Sequence, residues 1–272
     1  MDHYAVIGHP ISHSLSPWIH AQFAIQTQQQ LDYASLDITP TELPEFLDKT
    51  PLAGLNVTLP HKQAVFQWVD QATDRARVAG ATNTVFWDDQ GRSIGDNTDG
   101  AGLIADLTNR LRLPIENGRV LLLGAGGAAR GVAGPLMDQA LADLVIVNRT
   151  QSRADLLAER VGARAERWED LARLGPFDGI IHSTAAGHQE MPDLPISLLS
   201  ERTWCYDLSY GSAAQPFLTW ADHNGSVGYD GLGMLVEQAA LSFTIWRNIE
   251  VATEPVLKRL RQKQLAALAE QP

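Results

Sequence analysis

Lys62 and Asp99 are the residues in this sequence best suited to move a proton together. Lys62 closes the stretch NVTLPHK (Asn56 to Lys62), which follows the apolar run Leu52-Ala53-Gly54-Leu55. Pro60 lacks an N–H and has a fixed φ, so it breaks the strand and starts a new direction. Thr58 and Lys62 are thereby presented at a strand-to-helix turn. A lysine alone at such a turn is a solvated charge. A partner for it appears in GDNTDG (Gly95 to Gly100), where Asp99 lies at the start of the helix AGLIADLTNRLR. Asp99 either caps that helix or faces a cation. An amine and a carboxylate held together can take or give a hydroxyl proton.

A second kind of chemistry is written in RVLLLGAGGAARGVAGPLM, an apolar strand, a glycine loop and a helix. Gly124, Gly126 and Ala129 fit G-x-G-x-x-A, which gives a tight turn, close approach to a pyrophosphate and helix–strand packing. The next strand, LVIVNR (Leu144 to Arg149), ends where an NAD site places an acid for the ribose 2′-hydroxyl. Asn148, Arg149, Thr150 and Arg153 stand there instead. Guanidinium forks match a 2′-phosphate, so the expected cofactor is NADP(H); the competing reading makes both arginines surface charges at a helix start. A hydride carrier beside Lys62, Asp99 and several hydroxyls points to hydride transfer at a carbinol or ketone.

The elements that position these residues alternate strand and helix. Tyr4 to Gly8, Asp32 to Ile38 and the run ending at Thr58 read as strands, with a helix from Pro17 to about Thr27 between the first two. Ser16-Pro17 is a helix-start signal with Ser16 as cap; Ser14 and Ser16 at that terminus also suit a carboxylate or phosphate. Arg92 to Gly95 returns a hairpin from Ala79 to Trp87. After LPIENG the βα alternation continues through Phe177 to Ser183, Thr203 to Tyr210 and Ser226 onward, with Thr184 to Gly187 bordering the nicotinamide. Gln238 falls inside the following helix.

Composition narrows the function classes. The 272 residues carry a formal net charge of −11, which argues against nucleic acid or an anionic membrane as a bulk partner. One cysteine, Cys205, excludes an internal disulfide framework and reads as an inert core thiol. No apolar run approaches the ~18–20 residues of a membrane span, and no signal peptide is evident, so a cytoplasmic protein is expected. His9 and His13 lie in a proline-containing loop without further ligands, so no metal is expected.

SHSLSP, NVTLPHK, AGATNTV, GDNTDG, GAGGAAR, NRTQSR, YDLSYG and DGLGMLVEQAALSF, in this order, resemble the shikimate dehydrogenase family over nearly the whole chain. The resemblance implies a two-domain α/β fold with the active site in the interdomain cleft. Residues 1–100 plus 237–272 would form an α/β substrate domain, and residues 101–236 a Rossmann-like NADP-binding domain. It implies reversible NADPH-dependent reduction of 3-dehydroshikimate to shikimate by a monomer or homodimer, the nearest alternatives being a broader quinate/shikimate dehydrogenase and a non-catalytic NADP-binding module. Lys62 and Asp99 match the catalytic pair. Ser14 and Ser16 would hold the substrate carboxylate, and Thr58, Asn83 and Gln238 would join the pair around the ring hydroxyls, with Tyr210 nearby. Gly124, Ala125, Gly126, Gly127 and Ala128 match the pyrophosphate loop, and Asn148, Arg149, Thr150 and Arg153 the 2′-phosphate site. Leu208 and Gly231 match the nicotinamide side, and Asp74 a further cofactor contact. His182 stands where the family usually has Asn, and Gln215 where it has Thr before Pro216.

Overall fold

The computed structural model describes residues 1–49, 51–184 and 193–269, which divide into two units. The first comprises residues 1–102 and 236–272. Its β1 (Asp2–Gly8) pairs in parallel with β2 (Leu31–Asp37), reached through α1 (Ser16–Thr27). On its other side β1 pairs with β3 (Gly54–Val57), which follows α2 (Leu43–Lys49). After α3 (Lys62–Trp68), β4 (Gln71–Ala72) and α4 (Asp74–Ala79), the hairpin β5 (Thr84–Trp87) and β6 (Ser93–Asp96) adds antiparallel to β3. The sheet order is β2-β1-β3-β5-β6-β4.

Side-chain alternation decides what each face of this sheet buries. Ala5, Ile7, Leu55, Val57 and Val85 pack with Leu43, Leu47 and Val65 into one core cluster. Asn56, between Leu55 and Val57, points to the opposite face, where an amide among apolar neighbours must find partners.

α5 (Asp99–Ala105) runs into a π-helical turn over Asp106–Arg110 and carries the chain into the second unit, residues 103–235. There follow β7 (Arg119–Leu123), α6 (Gly127–Met137), β8 (Asp143–Val147), α7 (Gln151–Val161), β9 (Arg164–Glu166) and α8 (Leu171–Leu174). Next come β10 (Gly179–His182), β11 (Trp204–Asp207), α9 (Gln215–His223) and β12 (Val227–Tyr229). All six strands are parallel, in the order β12-β11-β10-β7-β8-β9. The chain winds from β7 out to β9, then crosses back to β10. This is the doubly wound arrangement, with its switch point between β7 and β10. β7 and β8 are buried on both faces and are accordingly continuous apolar runs. α10 (Leu232–Arg247) returns the chain to the first unit, which ends in α11 (Glu254–Ala269).

Three local expectations change. α1 begins at Ser16 itself, with Leu15 in the cap position and no side-chain capping bond, so Ser16 is not the cap. Asp99 does not cap α5 either; both its carboxylate oxygens are engaged elsewhere. β4 and α4 fill a stretch for which the sequence analysis expects no element; α4 is capped by Thr73, whose Oγ1 accepts from the Ala76 N–H at 3.3 Å. Cys205 is buried, and burial pushes its thiol up to about 12. No helix among the described residues is long and apolar enough to cross a membrane.

Candidate active site

Lys62 is the first residue of α3 and Asp99 the first of α5. Their side chains meet, Lys62 Nζ donating to Asp99 Oδ2 at 2.5 Å, with only 12% and 8% of each exposed. A pair so withdrawn from water is not a solvated surface contact. Taking such a pair out of water is costly unless its remaining polar positions are also bonded, so the second carboxylate oxygen needs a donor. Asn83 supplies it, Nδ2 to Oδ1 at 2.8 Å.

Asn83 is the hub of the cluster. Its Nδ2 also approaches Thr98 Oγ1 at 2.9 Å and Gln238 Oε1 at 3.2 Å. Its Oδ1 accepts from the Thr98 N–H and from Thr84 Oγ1, both at 2.9 Å. The Asp99 N–H donates to Asn97 Oδ1 at 3.1 Å. Preceding Asp96 fixes this loop to the rest of its unit, accepting from Thr73 Oγ1 at 2.7 Å and Arg75 NH2 at 2.5 Å. Burial alone would raise the Asp96 carboxyl, but hydrogen bonds from Arg75 and Thr73, with the Arg75 charge, hold it below the usual range.

A line of buried hydrogen bonds runs from this cluster to Tyr33, while the two serines stand at the head of α1. The Ser16 N–H donates to Ser14 Oγ at 3.3 Å, and Tyr33 carries the buried phenol at the end of the line. Burial holds that phenol well above its ordinary value. Tyr33 donates to Asn56 Oδ1 at 2.7 Å, while Asn56 Nδ2 reaches the Asn83 carbonyl, Thr84 Oγ1 and Ser242 Oγ at 3.1, 3.2 and 3.1 Å. The amide on the far face of β3 is thus fully satisfied. Tyr33, Asn56, Thr98 and Ser242 are the site's unforeseen members. The sequence signal for one was present, an asparagine in the apolar run LAGLNVT. Thr58 is half-buried beside β1, its N–H on the Ile7 carbonyl at 2.9 Å.

In the second unit the glycine loop stands at the end of β7. The Gly124 N–H donates to the Val147 carbonyl at 2.8 Å and the Ala125 N–H to Asn148 Oδ1 at 3.2 Å, so the loop is tied to the end of β8. α6 starts at Gly127 with no side-chain cap and no acid in its first turn, leaving N–H groups for an anion. A Cβ on Gly126 would meet nothing within 4 Å, so the backbone there is open to a ligand. Arg149, Thr150 and Arg153 are exposed at the head of α7. Arg130 on α6 was not anticipated; burial, then repulsion from Arg160 and Arg153, pushes its guanidinium below its ordinary value. Such crowding of like charge suits a dianionic phosphate. The residues present therefore fit a phosphorylated dinucleotide.

The remaining expected residues fall as follows. Leu208 and Gly231 are neighbours: a Cβ on Gly231 would lie 2.3 Å from the Leu208 carbonyl oxygen. Tyr210 follows β11 in the second unit, its phenol raised by burial. Asp74 belongs to the first unit, exposed on α4 and paired with Arg77 at 2.7 Å. His182 bonds Asp207 and Thr184. Gln215 opens α9. Ala185, Ala186 and Gly187 lie outside the described residues.

Comparison with known proteins gives three family matches along the chain. Residues 6–85 match the shikimate dehydrogenase substrate binding domain, residues 106–195 the shikimate / quinate 5-dehydrogenase domain, and residues 231–261 the shikimate 5′-dehydrogenase C-terminal domain. A shikimate dehydrogenase (NADP(+)) of Xanthomonas campestris is 47% identical, covering 96% of this chain and 95% of its own length. One from Janthinobacterium is 46% identical, covering 96% and 98%. Among solved structures, shikimate 5-dehydrogenase of Thermus thermophilus in complex with NADP(H) and shikimate superposes with a TM-score of 0.87 at 33% identity, over 96% of this chain and 99% of that one. An Ael1 enzyme from Pseudomonas putida gives the same TM-score at 37% identity, over 96% and 98%.

Proposed function

The chain belongs to the shikimate dehydrogenase family, and from that premise we propose a function and a role for each part of the site. The protein is an NADP-dependent oxidoreductase that reversibly reduces 3-dehydroshikimate to shikimate, a step of aromatic amino-acid biosynthesis. The observation that supports this most is the buried Lys62–Asp99 pair within reach of Asn83 and Gln238.

Bound NADPH supplies the hydride. In the reducing direction the substrate's C3 carbonyl oxygen gains a proton, and Lys62 Nζ gives it; in the oxidising direction the same amine takes it back. Asp99 positions Lys62, and Asn83 positions Asp99. Ser14 and Ser16 take the substrate carboxylate at the head of α1, whose N-terminal dipole favours an anion. This seat gives an acidic chain a local site for an anionic substrate. Thr58, Asn83, Gln238 and Tyr210 surround the ring hydroxyls. Gly124 to Ala128 carry the pyrophosphate. Asn148, Arg149, Thr150 and Arg153 carry the 2′-phosphate, with Leu208 and Gly231 on the nicotinamide side and Asp74 as an added contact. The reaction is assigned to the cytoplasm.

The test is turnover of the purified protein with shikimate or quinate, each offered with NADP or NAD and followed by reduced-cofactor absorbance. Turnover of shikimate with NADP, well above the other three combinations, is the expected result. Equal use of quinate would instead make it the broader quinate/shikimate enzyme, and no turnover of either would reduce it to a binding module.

A further inference from the structure

Strand order gives a dinucleotide a direction across the second unit. Arg149 and Arg153 follow β8, the glycine loop follows β7, and the next strand in the sheet is β10. A cofactor with its 2′-phosphate beyond β8 and its pyrophosphate at the loop runs its nicotinamide toward the end of β10, across strands about 4.8 Å apart. β10 ends in His182, and Thr184 lies two residues on.

These two residues form a chain of fixed polarity. His182 Nδ1 lies 2.8 Å from Asp207 Oδ2, with the two side chains 5% and 0% exposed. The other carboxylate oxygen of Asp207 accepts from the Ser209 N–H at 2.8 Å. Nδ1 thus faces an acceptor and carries a proton, and in the tautomer this selects Nε2 is the acceptor. Thr184 Oγ1 is 2.6 Å from Nε2, so its one hydroxyl proton is committed inward. Phe217 stacks on the imidazole at 4.9 Å and holds its plane. What Thr184 retains for a ligand is lone pairs alone. Intervening Ser183 is anchored to the glycine strand, its N–H and hydroxyl both donating to the Leu123 carbonyl at 2.8 Å. A Cβ on Gly124 would come within 2.5 Å of its Oγ, so Thr184 follows directly on the contact with the first glycine of the loop.

We propose that Thr184 accepts the carboxamide N–H of the nicotinamide, and that His182, oriented by Asp207, is the positioning residue that makes Thr184 an acceptor rather than a donor. Among the groups at that end of the cofactor, the carboxamide offers an N–H donor. The inference rests on the NADP reading above and deepens it by assigning the pocket's discrimination for the amide.

Equilibrium titration of NADP+ and of its 3-acetylpyridine analogue, in which a methyl replaces the NH2, tests this. At about pH 8, where an ordinary imidazole is neutral, the native protein binds NADP+ roughly three- to tenfold more tightly than the analogue, the worth of one neutral hydrogen bond. Thr184→Val abolishes that preference by weakening NADP+ alone, and Thr184→Ser restores it. His182→Asn, too short to bridge Asp207 and Thr184, also erodes the preference, and adding it to Thr184→Val changes the ratio no further. General loosening of the fold would weaken both ligands alike, so the ratio isolates the amide contact. Thr184→Val that keeps the native preference, or that weakens both ligands equally, overturns the proposal. Native protein that binds no NADP+ overturns the cofactor reading itself.

Discussion

The Lys62 cluster in the first unit and the glycine loop in the second are built by opposite means. The first works with side chains that are buried and already bonded to one another: Lys62 to Asp99, Asp99 to Asn83, Asn83 to Gln238 and Thr98. The second works with backbone N–H groups, a glycine that leaves space, and arginines that repel one another. The difference matches the chemistry proposed for each. A proton transfer needs one amine held in one orientation, which takes a preorganised network. A pyrophosphate and a 2′-phosphate bring their own charge and need only unspent donors and cations.

The contrast is broken most directly at Lys62. Lys62→Ala should lower kcat by roughly 10²- to 10⁴-fold, the usual worth of a positioned acid–base group, while substrate and cofactor binding weaken far less. Steady-state kinetics with a parallel NADP+ titration decide it; near-normal turnover removes Lys62 from the reaction. Arg149→Ala with Arg153→Ala should act in the other currency, raising the KM for NADP(H) roughly 10- to 100-fold, as expected for lost charge-assisted bonds. kcat at saturation and the KM for NAD should change little. A double variant that loses both cofactors equally would show that the arginines hold the fold rather than the 2′-phosphate.

The two constructions also explain what was legible in the sequence. The glycine loop is local: strand, turn and helix run from Arg119 to Met137, and the arginines follow at the end of the next strand, so the motif and the selectivity could be read together. Lys62 and Asp99 could be paired because a proline turn and a glycine-flanked helix start mark both. The network beneath them is non-local. Tyr33 and Asn56 are 23 residues apart, and Asn56 and Ser242 are 186 apart, in contacts that only the folded sheet and α10 create. Ser16 is not the cap that Ser-Pro suggests, because that signal marks a helix start only to within a residue, and capping depends on φ, ψ and a bond that the sequence does not display. Arg130 was passed over because one arginine on a helix carries no pattern until Arg153 and Arg160 are seen to face it.

His20 sharpens the contrast from within the first unit. It is a buried polar side chain there that the network leaves out, stacked on Tyr33 at 4.2 Å with neither ring nitrogen in hydrogen-bonding distance of a partner. Burial pushes its imidazole down from 6.5 to about 3. The folded state therefore favours the neutral ring. Stability is fully present above about pH 6.5 and falls as acid protonates the unfolded chain first, down to about pH 3. Between pH 7 and 5 this single group should cost about 2 kcal/mol. Asp96, whose carboxyl is depressed, loses its contribution only as pH falls below the ordinary carboxylate range, outside the span from pH 7 to 5. His20→Phe should flatten the unfolding free energy over that window in urea titrations at several pH values. An unchanged slope would mean that the interior of the first unit is wetter than its packing implies.

The smallest effect separates space held open for a ligand from space closed by the fold, using two glycines of one loop. Gly124 has φ +114°, and a Cβ there would meet Ser183 Oγ at 2.5 Å and the Ser183 backbone at 3.1 Å. Gly124→Ala should therefore lower Tm through strain and overlap, by about 1–3 kcal/mol of stability, before any cofactor is added. Gly126 has φ −83°, a value any residue accepts, and its added methyl meets open space. Gly126→Ala should leave the apo Tm unchanged and weaken NADP+ binding by about tenfold, because the only thing its methyl can displace is the ligand. Thermal melts with and without NADP+ read both variants in one experiment. If Gly126→Ala lowered the apo Tm as far as Gly124→Ala, the open space above the loop would belong to the fold, and the division between a site of bonded side chains and a cradle of backbone donors would fail at its clearest point.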